Sequence, residues 1–151
     1  MSIWGPGPFD NDDGADWFAD LRDEPQLQTI CEALEEISDP AHIGYLEVTD
    51  CAEAVASAEV LAELLGSPGD EPVLDEEHKE LSEALRDEIR REGRRNIGKL
   101  VQQAINAIEI VLNDAENSEL RQMWEQEAEA MPDWTAAMAA LQQRLKAITF
   151  S

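Results

Sequence analysis

Apolar residues recur every three or four positions along most of the chain, the spacing that lines one face of an α-helix. The clearest stripe is Ile97, Leu100, Val101, Ala104, Ile105, Ile108, Val111 and Leu112, which predicts a helix over 97–112. Trp134, Ala137, Met138, Leu141, Leu145 and Ile148 predict a closing helix that begins at or near Pro132. Leu120, Met123, Trp124 and Ala128 point to one side of a shorter helix capped by Asn117 or Ser118. Leu74, His78, Leu81, Leu85 and Ile89 share a stripe over about 75–92, with Gly93 as its stop. Leu27, Ile30, Cys31, Leu34 and Ile37 mark another helix, with Pro25 suited to its first turn. Asp39-Pro40 ends it, because the residue before a proline avoids the helical region. Near the N-terminus, Trp17, Phe18 and Leu21 face inward from a helix over 13–22, with Asp12 or Asp13 as its cap.

Residues 50–66 differ from these stripes. Asp50 is placed as a cap, Glu53 completes a capping box and Gly66 ends the helix. Cys51, Ala54, Val55, Ala58, Leu61, Ala62 and Leu65 form its inward face, and the remaining alanines keep the rest of the circumference small. Neighbours can then approach closely from several sides, so this is the expected central helix. His42 to Val48 alternates weakly, but one such segment cannot form a sheet. Residues 67–73 read as an exposed turn tolerant of insertion. The expected fold is all-α: one compact multi-helix bundle of about six to seven helices over residues 1–151. Residues 1–12 are its N-terminal loop, and Val55, Leu61, Leu100, Ile105, Ile108 and Leu141 share its core.

Length agrees with one domain, since 151 residues can bury roughly 70% of their unfolded surface. No apolar run reaches the roughly 20 residues that span a bilayer, and no secretory pattern opens the chain, so a cytoplasmic protein is expected. Cys31 and Cys51 are then expected as small core residues rather than a disulfide.

Charge changes the picture more. The net charge is −23, and residues 1–80 hold 22 acidic against two basic residues. Six of the eleven basic residues (Arg86, Arg90, Arg91, Arg94, Arg95 and Lys99) fall within one short strip. Interleaved acids explain most of that strip as intrahelical pairs. A field of this sign repels nucleic acid and steers basic partners in, so a basic protein partner is expected and nucleic acid is not. Solubility and adaptation to a salty cytoplasm are the bland readings of the same acidity. If the chain forms a homo-oligomer, its basic strip would meet the acidic surface of a second copy.

The N-terminal loop carries the densest chemistry. Trp4-Gly-Pro-Gly-Pro-Phe9 runs into Asp10, Asp12, Asp13, Asp16 and Asp20, and no fold requirement by itself predicts so dense a stretch. Asn11 to Ala15 partly mimics a calcium loop, but the first ligand position would be Phe9 and the twelfth Asp20. A looser divalent-cation or small-ligand site on Asp10, Asp12, Asp13 and Asp16 remains open beside the reading in which these acids complement a helix N-terminus. Trp4 and Phe9 can either pin the loop to the core or anchor a partner, so the candidate partner-binding set is Trp4, Phe9, Asp10, Asp12, Asp13 and Asp16.

This stretch resembles the opening of a bacterial family of small proteins known as domain of unknown function 4259. Its pattern W-G-x-G-P-F-D-N-D-x-x-x-D-W is matched by Trp4, Gly5, Gly7, Pro8, Phe9, Asp10, Asn11, Asp12, Asp16 and Trp17. Residues 50–66 resemble its alanine-rich helix, and 117–125 with Trp134 and Leu141 to Leu145 its C-terminal pair. The resemblance implies no activity, cofactor or catalytic residue. The chain lacks metalloprotease, C-x-x-C, phosphate-loop and G-x-S-x-G motifs, and chance alone pairs many of its 34 acids on helices. The expected function is therefore non-enzymatic, without cofactor: an acidic interaction protein, comparable in physical profile to immunity proteins and antitoxins.

Overall fold

A computed structural model describes residues 3, 5–41 and 44–149. Among them are seven α-helices and one 3-10 turn: α1 (Asp12–Asp23), α2 (Leu27–Ser38), α3 (Val48–Leu64), the turn (Glu76–His78), α4 (Lys79–Glu92), α5 (Arg94–Asn113), α6 (Glu119–Glu125) and α7 (Met131–Lys146). No strand occurs among the described residues, only two isolated bridges, Ile3 with Asn11 and Leu46 with Ser118. The fold is an all-α bundle.

Its axis is α3, which packs against each of the other six helices. The burial goes beyond the face expected from sequence: every residue from Ala54 to Leu64 is buried, including Ser57, Glu59 and Glu63. Alanines at 52, 54, 56, 58 and 62 make this possible, because a side chain of one methyl lets a neighbouring backbone approach on any side. Leu65, expected inside, is half-buried at the helix end. On α5 the stripe Ile97, Leu100, Val101, Ala104, Ile108 and Val111 is buried as expected. The stripe is turned toward Ala107, which leaves Ile105 and Leu112 half-buried at its edge, still packed on the core. Val55, Leu61, Leu100, Ile108 and Leu141 all lie in one core.

Two helix starts, those of α2 and α3, differ from the expected ones for one shared reason. α3 begins at Val48 rather than Asp50, and its N-cap Glu47 makes no side-chain capping bond. The Val48 amide instead donates to the Glu119 carboxylate of α6 at 2.7 Å, so the Asp50–Glu53 capping box is not used. Pro25 lies before α2, whose N-cap is Gln26, and the Leu27 amide donates to Glu88 of α4 at 3.0 Å. Carboxylates from distant helices thus do what local caps usually do. The local signals held elsewhere: Ser118 caps α6, Pro132 sits in the first turn of α7, and Gly66 at φ +83° closes α3. There the Ser67 amide donates to the Ala62 carbonyl at 2.9 Å, the long bond of a Schellman motif. The helix predicted from residue 75 starts at Lys79; Asp75 caps the preceding 3-10 turn instead.

Ala128 lies beyond the end of α6 and is exposed, so it does not extend that helix's inward face. His78 is half-buried, edge-on to Phe18 at 5.1 Å and bonded to Asp75 at 2.9 Å. Cys51 is buried and Cys31 half-buried, both free. His42 and Ile43 lie outside the described residues. Leu46, just beyond them, exchanges backbone hydrogen bonds with Asn117 and Glu119 and so docks the connection before α3 on the start of α6.

The α5 register makes a quantitative demand. Ile108→Ala should lower the unfolding free energy by about 2–5 kcal/mol in urea denaturation, and Ile105→Ala by distinctly less. Equal losses would contradict the placement of Ile105 at the edge of the stripe.

Candidate functional site

The N-terminal loop is built by sterics and by hydrogen bonds to itself. Asp10 folds back so that its carboxylate accepts the Gly7 amide at 3.0 Å. A Cβ on Gly5 or Gly7 would lie 2.6 or 2.7 Å from the same carboxylate oxygen, so a side chain at either position would push the Asp10 carboxylate off the Gly7 amide. The N-cap of α1 is Asn11, not Asp12 or Asp13: its side-chain oxygen accepts the Gly14 amide at 2.7 Å and its amide group reaches the Pro8 carbonyl at 3.4 Å. That carbonyl occupies the space a Cβ on Gly14 would need. Fold requirements therefore do account for much of the dense motif.

The predicted site residues separate accordingly. Phe9 is half-buried and tilts against Phe18 with ring centroids 5.3 Å apart, which pins the loop to the core. Asp10 is engaged by Gly7, and Asp13 accepts the Thr49 hydroxyl at 3.1 Å. Asp12 and Asp16 are exposed, and Asp20 continues their row down α1. Trp4 lies outside the described residues. Among the described residues no three His, Cys, Asp or Glu side chains are grouped to hold a metal ion. The structure does not gather Asp10, Asp12, Asp13 and Asp16 into one site.

It does gather other carboxylates that sequence alone leaves apart. Half-buried Glu53 on α3 has its carboxyl pushed up, first by burial and then by Asp50, Asp13, Asp20 and Glu36. These groups come from α1, α2 and α3, so the faces of three helices form one acidic surface. Sequence spacing could not reveal it, because the convergence depends on how the helices pack.

A cleft of about 480 Å³ opens where the N-terminal loop meets the α6–α7 corner. Ile3 and Pro6 line it from the loop, Met123, Glu127 and Asp133 line it from the corner, and buried Trp124 is its floor. The floor is firm: the Trp124 ring stacks on Trp134 at 6.1 Å with only 9° between planes. Trp134 is almost fully buried.

The loop and the C-terminal pair, both parts of the family resemblance, are thus the two sides of one cleft. A family model described as Domain of unknown function (DUF4259) matches residues 2–137. The chain belongs to the DUF4259 family. No curated protein and no solved structure matches it.

The family match includes both glutamates of a second polar centre and ends before its arginine. Glu59 and Glu63, one turn apart on α3, are only 6% and 5% exposed. Arg144 of α7 grips both oxygens of Glu59 and also donates to the Ser67 carbonyl at 3.2 Å. The Ser67 hydroxyl returns a bond to the Arg144 carbonyl at 2.7 Å. Glu63 accepts the Val73 and Leu74 amides at 3.2 and 2.9 Å. The segment expected as a simple exposed turn is therefore held at one end by Arg144 and at the other by the buried Glu63 carboxyl, with its middle in solvent. Burial, and next the hydrogen-bonded Glu59 carboxyl, push Glu63 up to about 8, so it keeps its proton through neutral pH. The only hint in the sequence is a Glu pair at i, i+4 inside an alanine-rich helix, placed off the expected inward face.

Two outcomes follow from this geometry. Asn11→Ala should cost about 0.5–2 kcal/mol in chemical denaturation, whereas Asp12→Asn and Asp13→Asn should cost less than that. A larger loss from either aspartate would return the cap to it. For Glu63 the folded state holds a proton that the unfolded state, near 4.5, has released. Its contribution to stability is full below about pH 4.5 and is lost as pH rises through about 8. Glu63→Gln should therefore gain stability relative to the parent across that window. A parent-minus-variant difference that stays flat from pH 4.5 to 8.5 would show an ordinary carboxyl at 63.

Proposed function

We propose that the chain is a non-enzymatic interaction protein that binds a basic protein through the acidic surface of α1, α2 and α3. The observation that carries this reading is the convergence of Asp13, Asp20, Glu36 and Asp50 on half-buried Glu53, which costs the free protein electrostatic energy. The charges that act most strongly on Glu53 are all carboxylates, so a cationic partner would be drawn to the surface and would relieve it. The exposed row Asp12, Asp16 and Asp20 widens the same field along α1. The basic strip is partly occupied within the chain, with Arg86 on the Leu64 carbonyl and Arg90 on Asp87, which fits a partner from outside better than a second copy.

In this reading the chain acts in the cytoplasm, as an immunity protein or antitoxin acts, by covering a basic surface; nucleic acid is repelled by the same field. A folded domain that keeps a self-repelling surface sacrifices stability for binding. Glu53→Gln should accordingly raise the melting temperature at pH 7. Combined with Asp16→Asn and Asp20→Asn, it should weaken capture of the basic partner about tenfold or more at low salt, with helix content unchanged in circular dichroism. A triple variant that binds its partner as tightly as the parent, with the same salt dependence, would remove this surface from the function.

A further inference from the structure

We infer that the cleft between the N-terminal loop and the α6–α7 corner seats one apolar side chain of that basic partner together with the cationic side chain next to it. The inference rests on the basic-partner reading and gives it an anchor point. Three features of the cleft set the chemistry of its occupant.

The first is size. About 480 Å³ takes one or two side chains and no more. A separate crevice of about 10 Å³, which shares Ile3, Pro6 and Trp124 with the cleft and is also lined by Pro8 and Leu120, admits no side chain. The second is the floor. Met123 and Ala130 are half-buried beside Trp124, whose ring is fixed by the stack on Trp134. A preformed apolar floor binds an apolar side chain without first paying to order itself, and methionine adapts to its shape. The third is the rim. Glu127 and Asp133 are exposed and have no hydrogen-bond or ion-pair partner for their carboxylates among the described residues. An anionic or neutral polar segment gains nothing there, whereas a lysine or arginine beside the apolar anchor meets two carboxylates. The net charge of −23 makes the same selection at long range.

The probes are hexapeptides titrated into the isotopically labelled full chain and read by NMR. An alternating leucine–arginine peptide should shift the Met123 and Ala130 methyl signals and the Trp124 indole signal. Exchanging its leucines for serine should abolish those shifts, and so should exchanging its arginines for glutamate. Ala130→Phe, which fills part of the cleft, should remove binding there while the melting temperature stays within a few degrees. Glu127→Gln with Asp133→Asn should weaken binding by up to about tenfold at low salt. If the leucine–arginine peptide moves only the amides of Asp12, Asp16 and Asp20, the cleft is not the anchor, although the basic-partner reading stands. If it binds nowhere on the chain, both fall. If the serine–arginine peptide shifts the cleft signals as strongly, the apolar anchor is wrong. If the cleft signals move with protein concentration alone, alongside a rise in solution mass, the occupant is a second copy and the external partner is overturned.

Discussion

A helix segment buried on every side can leave none of its polar groups to water, and α3 from Ala54 to Leu64 is such a segment. Its alanines let six other helices approach, but it also brings Ser57, Glu59 and Glu63 into the interior and leaves the half-buried Val48 amide at its start without a local cap. Each must be satisfied by protein, because an unpaired buried polar group costs about 1–3 kcal/mol and a charged one more. The partners come from across the chain. Arg144 fixes α7 against Glu59, the Val73 and Leu74 amides bring the segment before α4 onto Glu63, and Glu119 ties α6 to the start of α3. Among the described residues no buried side-chain nitrogen or oxygen is left without a partner. The positions of three distant segments follow from satisfying one helix.

The same chemistry explains how a domain of this charge folds. Part of its carboxylate content is structural: Glu88 and Glu119 cap helices that have no cap of their own, Asp10 closes the N-terminal loop, and Glu63 stays protonated. Other carboxylates on the outer faces of α1, α2 and α3, among them exposed Asp12, Asp16 and Asp20, face solvent. Around Glu53 they add to burial in raising its proton affinity, which marks that face as the place where the fold gains least and a cationic partner would gain most.

What the sequence made legible follows the same division. The stripes of α5 and α7 could be read because their neighbours lie on one side, so hydrophobic spacing and burial coincide. On α3 the spacing marked only one face, because alanine is small enough to be buried in any direction and gives no polar contrast. The starts of α2 and α3 were misplaced at Pro25 and Asp50 because their caps are supplied from 61 and 71 residues away, beyond any local pattern. In the N-terminal loop the motif itself was plain, but its cause was not. Gly5, Gly7 and Asp10 are linked by a close approach that becomes visible only when the loop is closed. The acidic residues singled out there proved to be divided between loop closure and solvent. The acidic surface that does converge draws on α2 and α3 as well, and the tryptophans of the cleft floor come from the other end of the chain.

The dependence of the bundle on α3 can be measured amide by amide. Native-state hydrogen exchange should find the amides from Ala56 to Leu64 among the slowest in the molecule. They should open only with the free energy of global unfolding, as expected for a helix whose every neighbour must leave before water reaches it. Exchange of these amides through a local opening, faster than that of Ala104 to Val111 on α5, would mean that α3 is not the element on which the rest depends.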